Sequence, residues 1–241
     1  MSLQFSDTTN KRGIVELIDF KCKSNSISYP IEDKTRDINL ALDYTLDLIF
    51  NSGGRWQFDD SNHTDYPFIT TNLVQGQRDY TFTTDEQGNL ILDIYKVMVK
   101  NEQGIYVEVY PVDQQSDKDM TGFWDGQNQT GLPYRYDKTA NGIFLDFIPS
   151  YSSNAGLKIF INREGSYFTK TDTTKKPGFA GIFHEFLALR PSYQYAYING
   201  LDNVNFIKNE MIEMEEKIKK HYRDRSKDEQ RSISIEEVCS I

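Results

Sequence analysis

Two residues in this chain have types and spacing that suggest metal or acid–base chemistry. His184 and Glu185 match the first half of the HExxH pattern, in which two histidines on one helix face bind zinc and the glutamate is the general base. Position 188 is Ala188, so the second histidine is missing. We therefore expect His184 to be a helix residue that makes one hydrogen bond. His221 lies among lysines and is expected at the surface.

A cluster of acidic and amide side chains in one loop is a second possible metal site. Its members are Asp59, Asp60, Asn62, His63 and Asp65. Hard cations bind oxygen ligands of this kind, but the glycine and the terminal glutamate of an EF-hand loop are absent. We expect a solvated acidic turn here and no bound metal.

The remaining patterns give no sign of enzymatic chemistry. The sequence contains neither GxxxxGK[ST] nor GxGxxG, the two glycine-rich phosphate-binding patterns. Cys22 and Cys239 are far apart and neither has a histidine placed to activate it, which favours a reducing compartment and a core position for Cys22. The acids are scattered in loops rather than paired as glycoside hydrolysis requires. The sequence therefore predicts a protein that is not an enzyme and has no cofactor.

Charge and composition narrow the class further. The 241 residues carry a formal net charge of −9, which argues against a protein that grips phosphate backbones with clustered lysine and arginine. Aromatic residues make up 13% of the chain, and those left at the surface would suit protein–protein contacts. Residues 1–20 do not resemble a signal peptide, and no apolar run approaches the ~20 residues of a membrane span. We expect a soluble protein made without secretion.

Hydrophobic spacing predicts helices near both ends of the chain. A short helix is expected over residues 8–23, and a longer one from Pro30 to about Phe50, ended by the Asn-Ser-Gly-Gly run that follows. Residues 179–189 form an apolar helix face, and Pro191 should kink or break that helix. A final helix should run from Asp202 or Asn203 to about Arg225.

Between these helices the apolar period changes to two, which indicates strands. Strands are expected over residues 66–74, 80–82, 90–100, 105–110, 134–136, 143–148 and 156–163. Asn141-Gly142 is the strongest hairpin signal. The sequence therefore predicts an α+β fold with a central antiparallel β-sandwich or open barrel and a helical base. We divide it into N-terminal helices (1–54), a sandwich (55–170), C-terminal helices (171–225) and an extended tail (226–241).

Two apolar sets near the C-terminus lack an assigned partner. The final helix carries a stripe near heptad spacing, formed by Ile207, Met211, Met214 and Ile218. Such a stripe packs within its own subunit or enters a groove on a partner. The tail that follows carries Ile233, Ile235 and Val238, and it is either disordered or docked.

The order of the elements resembles a known family. After the N-terminal helices come GGRWQFDD (53–60), GQRDYTF (76–82), GLPYRYD (131–137), IFLDFIPS (143–150) and PGFAGIFHEFL (177–187). Taken together, residues 36–200 resemble the head–tail connector or adaptor proteins of tailed bacteriophages. The nearest groups are the tail accessory factors of short-tailed phages and the ring proteins below the portal in crAss-like phages.

The resemblance implies a virion role and a set of partners. Copies would form a ring, expected to be a dodecamer, that is assembled in the host cytoplasm, binds the portal protein, extends the DNA channel and receives further neck or tail proteins. The portal contact would fall to the final helix and the tail, through Ile207, Met211, Met214, Ile218, Ile233, Ile235 and Val238. An acidic loop would line the lumen, where carboxylates repel DNA so that it passes without specific binding, or would contact a neighbouring ring. Its carboxylates are Asp113, Asp117, Asp119 and Asp125.

A second function class stays open from the sequence. Trp56 and Trp124 on a sandwich could stack on sugar rings, as in a carbohydrate- or receptor-binding virion module. The helices that flank the sandwich count against this reading, because receptor-binding sandwiches rarely need them.

Overall fold

The α+β class is confirmed, with helices and strands in separate parts of the chain. The structure, a computed structural model, describes residues 2–53, 68–86, 88–112 and 129–225. It divides the chain into two compact units. The described residues 2–53 and 165–225 form the first, which we call the helical unit, and the described residues between 68 and 164 form the second, the sheet unit. Segments that precede and follow the sheet unit in the sequence thus belong to one unit.

Four α-helices lie in the described part of the helical unit. They are α1 (Ile14–Cys22), α2 (Ile31–Asn51), α3 (Phe186–Ile198) and α4 (Val204–Arg225), with a short 3-10 turn at Gly181–Phe183 before α3. α1 starts later than predicted because the preceding residues form a turn. Asp7 accepts a hydrogen bond from the backbone N–H of Asn10, and Lys11 has a positive φ of 58° that no helix accommodates.

α3 lies at the centre of this unit and packs against the other three helices. Of the two effects predicted for Pro191, a kink or a break, the break does not occur, because α3 continues through it to Ile198. Pro191 is buried, as are Phe186, Leu187 and Leu189 on the preceding turn. Packing on three sides therefore holds a helix that a proline would interrupt in isolation.

The described residues of the sheet unit form nine strands, seven of them in one curled sheet. The strands are β1 (Phe68–Leu73), β2 (Asp79–Thr81), β3 (Ile91–Lys100), β4 (Tyr106–Pro111), β5 (Thr130–Gly131), β6 (Arg135–Thr139), β7 (Gly142–Leu145), β8 (Ile148–Pro149) and β9 (Ser153–Arg163). The sheet order is β1-β9-β3-β4-β6-β7-β2, and β5 pairs with β8 separately. All pairs in the large sheet are antiparallel except β4 with β6. Hydrogen bonding is continuous, so the expected sandwich takes the form of one curled sheet around one core.

Strand alternation accounts for that core. Val97 and Val99 on β3 lie opposite Ile159 and Leu157 on β9, and all four side chains are buried. Tyr136 on β6 adds the largest fully buried side chain, so the half of the sheet beyond β4 contributes to the same core.

The Asn141-Gly142 signal predicts a hairpin, and β6 and β7 form one. Thr139 pairs with Gly142, so the two-residue loop is Ala140-Asn141 and Gly142 begins the next strand. The glycine is required for another reason, since a Cβ there would collide with the carbonyl oxygen of Tyr80 on β2. Gly142 is thus needed for the close approach of β7 to β2, and not for a left-handed turn.

Candidate interaction surface

His184 is a buried structural residue rather than a candidate ligand. It follows the 3-10 turn, is 2% exposed, and binds two backbone segments instead of making the single hydrogen bond predicted. Its Nδ1 lies 3.1 Å from the Leu3 nitrogen and its Nε2 lies 2.9 Å from the Phe179 oxygen. The neutral ring with a proton on Nε2 satisfies both contacts. Burial lowers the pKa of His184, which favours this neutral form.

The other candidate metal residues do not assemble a site either. Glu185 forms an ion pair with Lys21, at 3.3 Å. Within the part of the chain that the structure describes, no group of three His, Cys, Asp or Glu side chains is placed to hold a metal ion. The acidic cluster at residues 59–65 lies outside the described residues, as do Trp56 and Trp124.

The two remaining candidates, Cys22 and His221, lie at different depths in the helical unit. Cys22 is in the core, as predicted, and burial raises the pKa of its thiol. Its Sγ is 3.7 Å from the Ser192 carbonyl oxygen. His221 is only half-exposed, because its ring meets the Phe183 ring edge-on at 5.2 Å. The thiol of Cys22 is therefore expected to be unreactive, and the imidazole of His221 packs against an aromatic ring.

The structure corrects the expectation that the α4 stripe binds a partner. Ile207, Met211 and Ile218 are 1%, 9% and 0% exposed and belong to the core of their own subunit. Met214 is partly buried against the same core. The heptad-like spacing matches packing onto α2 and α3, so these side chains are not available to another molecule.

The other predicted interface residues cannot be placed. Ile233, Ile235 and Val238 of the tail, and the acidic loop residues Asp113, Asp117, Asp119 and Asp125, all lie outside the described residues. Their roles stay predictions.

Large apolar side chains that sequence reasoning missed are exposed on the helical unit instead. Ile27, Phe20 and Ile198 are 89%, 81% and 80% exposed, and the others among the described residues are Leu40, Tyr167, Ile182, Tyr197, Phe206 and Ile212. Helical phase could have identified Phe20, because it lies two residues beyond the buried Ile18 and so on the opposite face of α1. Such side chains mark candidate interaction sites where they adjoin, as Phe20 and Phe206 do at one depression and Tyr197 and Ile198 at another.

Two of these exposed rings flank an apolar cleft of about 620 Å³ between α1 and α4, which we call the phenylalanine cleft. Phe20 and Phe206 line it together with the buried side chain of Ile207. Its polar lining is Asp19, Lys21, Lys23, Asn203 and Glu210.

Hydrogen bonds fix the shape of this cleft. The Lys21 ammonium donates to Glu210 at 2.8 Å, and the Asn203 side-chain amide donates to the Lys21 carbonyl oxygen at 2.8 Å. Both bonds join the end of α1 to the start of α4. Lys23 ends α1 in the left-handed conformation and forms no ion pair with any described residue. The cleft is therefore preformed, and Lys23 at its rim has no acidic partner among the described residues.

A second depression of about 680 Å³, the tyrosine cleft, is lined by Tyr29, Tyr193, Tyr195, Tyr197 and Ile198 beside the charged residues of α2. The rings of Tyr29 and Tyr195 stack with centroids 4.6 Å apart. Tyr29 donates its hydroxyl proton to Asp37 at 2.6 Å, and burial raises the pKa of this phenol. Tyr29 is thus held neutral, and its hydrogen bond and stacking fix its ring against Tyr195.

Comparison with known proteins adds no family. No protein-family model matches the chain, and no curated protein matches it significantly. None of the helices in the described ranges combines the length and apolarity that a membrane crossing requires.

Proposed function

We propose that this protein is a structural component of a tailed-phage virion that forms a ring at the portal vertex, joins the head to the tail and extends the DNA channel. The observation that supports it best is the exposed apolar surface of the helical unit. Isoleucine and phenylalanine side chains that are 60–89% exposed in one subunit, at Ile27, Phe20 and Ile182, are expected where copies or partners cover them.

Charge supports the same role. A net charge of −9 would repel the DNA phosphates, so a genome passing through such a ring would not adhere to it. In this proposal Asp113, Asp117, Asp119 and Asp125 face the lumen or a neighbouring ring. The portal protein, further neck or tail proteins and other copies of the chain are the partners.

Electron microscopy of the full-length protein mixed with the portal protein of the same genome tests this role. We expect a ring stacked on the narrow end of the portal. A protein that stays monomeric beside an intact portal and is absent from purified virions would refute the proposal. Location on tail fibres together with binding on a glycan array would instead favour a carbohydrate-binding module.

A further inference from the structure

The phenylalanine cleft has the size, lining and charge of a site for an extended peptide. Two exposed aromatic walls offer apolar contact, and the hydrogen bonds across the cleft hold it open without a ligand. A preformed apolar groove binds peptides at low conformational cost. We propose that it binds residues 226–241 of a second copy of this chain.

The apolar residues of that segment match the cleft. In Ile233-Ser234-Ile235 the two isoleucines would lie on the same side of an extended chain, roughly 7 Å apart. That spacing suits two neighbouring contacts, one on each phenylalanine ring. Val238 would provide a third contact beyond the cleft.

Charge is also complementary. Glu236 and Glu237 directly follow Ile235 in the segment. Lys23 at the cleft rim is exposed and forms no ion pair with any described residue, so its ammonium is free to meet one of these carboxylates. Such a rim contact selects the orientation of the peptide more than it adds affinity.

Distance favours a second copy over the same chain. Phe206 lies nineteen residues before Arg225 on α4, which corresponds to roughly 29 Å along the helix. The eight residues from Arg225 to Ile233 span at most about 29 Å when fully extended. Ile233 of the same chain could therefore reach Phe206 only with every linking residue extended and none left to reverse the direction of the chain, whereas a neighbouring copy has no such limit. This inference does not depend on the virion role, because a peptide-in-groove contact links copies in any assembly.

Site-directed disulfide formation tests the contact on the full chain. The variant Lys23→Cys, combined with Cys239→Ser, keeps both phenylalanines and has a thiol at the cleft. It is mixed with unmodified protein, whose tail thiol is Cys239. Copper phenanthroline accepts the two electrons that disulfide formation releases. We expect a disulfide-linked dimer that contains one copy of each. The matched control is Tyr197→Cys with Cys239→Ser. Tyr197 lies at the tyrosine cleft and is 71% exposed, and this variant should give no disulfide-linked dimer.

Self-association measured by analytical ultracentrifugation provides the second test. The double variant Phe20→Ser, Phe206→Ser should weaken association about 100-fold, taking about tenfold for each ring. Both positions are exposed, so folding should be unaffected. Ile233→Asp with Ile235→Asp should weaken association similarly. Because both sets remove the same contact, combining them should weaken association little more than either set alone.

Three results would overturn the proposal. The first concerns the Lys23→Cys variant that retains its own Cys239. A disulfide within one chain and no disulfide-linked dimer would assign the cleft to the tail of the same chain. Another is self-association that the phenylalanine substitutions leave unchanged. The third is additive loss from the two sets of substitutions. A stable ring that survives all of them would retain the proposed function while rejecting this contact.

Discussion

Replacing His184 should remove a pH-dependent part of the stability of the helical unit. In the native protein the neutral ring accepts a hydrogen bond from Leu3 N–H and donates one to the Phe179 carbonyl oxygen. His184→Ala leaves two buried backbone groups without partners and a cavity the size of an imidazole. We expect a loss of about 3 kcal/mol at pH 7.5.

The sign of the pH effect follows from the direction of the pKa shift. Burial lowers the pKa of His184 in the folded state, while the unfolded chain binds a proton near pH 6.5. The stabilisation is therefore fully present above pH 6.5 and is lost as the pH falls below it. If the folded ring stays neutral, the loss between pH 7.5 and pH 5.5 is about 1.4 kcal/mol.

Urea unfolding followed by circular dichroism at 222 nm measures both quantities, because the helices of the described residues all lie in the helical unit. The test is the difference in pH dependence between wild type and variant, in which other titrating groups cancel. His184→Gln is the matched control, because it retains a donor but cannot titrate. It should lose the same pH-dependent part of the unfolding free energy, and its unfolding free energy at pH 7.5 should fall by less than that of His184→Ala. An unchanged 1.4 kcal/mol loss in His184→Ala would show that the proton binds elsewhere.

Three further changes test the packing by simple measurements. The Lys34 side chain is 3% exposed and pairs with Asp19 at 2.6 Å, so Lys34→Ala should cost about 2 kcal/mol in urea unfolding, and Lys34→Met, which keeps the packing, less than about 1 kcal/mol. In a Cys239→Ser background the Cys22 thiol should react with iodoacetamide on the order of 100-fold more slowly than in urea, and equal rates would contradict its burial. Gly142→Ala should destabilise the sheet unit by about 2 kcal/mol through its collision with strand β2, seen as a lower midpoint of thermal unfolding, whereas an unaltered midpoint would reject the close approach.

Local pattern predicted most of the helices and strands. The α2 range differs from the predicted one by one residue at either end, because Pro30 and the Gly53 region delimit it in the sequence itself. β3 and β4 also follow from alternation and the loop between them. In contrast, the start of α1 and the continuity of α3 through Pro191 depend on packing and on turn contacts that no window of sequence contains.

The candidate surface was harder to predict than the fold. The α4 stripe was a correct sign of packing, but sequence alone could not decide whether its partner was internal. The phenylalanine cleft needs Phe20 and Phe206, which are 186 positions apart, to meet across two helices. The parallel pairing of β4 with β6 could not be predicted from the sequence either, since it joins strands separated by the long polar segment at 113–128.

The path of the chain makes the sheet unit an insertion within the helical one. The chain leaves the helical unit after α2 and returns at Gly165, before α3. β1 begins the described part of the inserted unit and β9 ends it, and Phe68 pairs directly with Phe160. Adjacent ends mean that a module of this kind can be exchanged, enlarged or removed with little loop-closure entropy and without rerouting the helices. Variation that adapts the molecule to new neighbours can therefore accumulate in one unit while the other keeps its sequence.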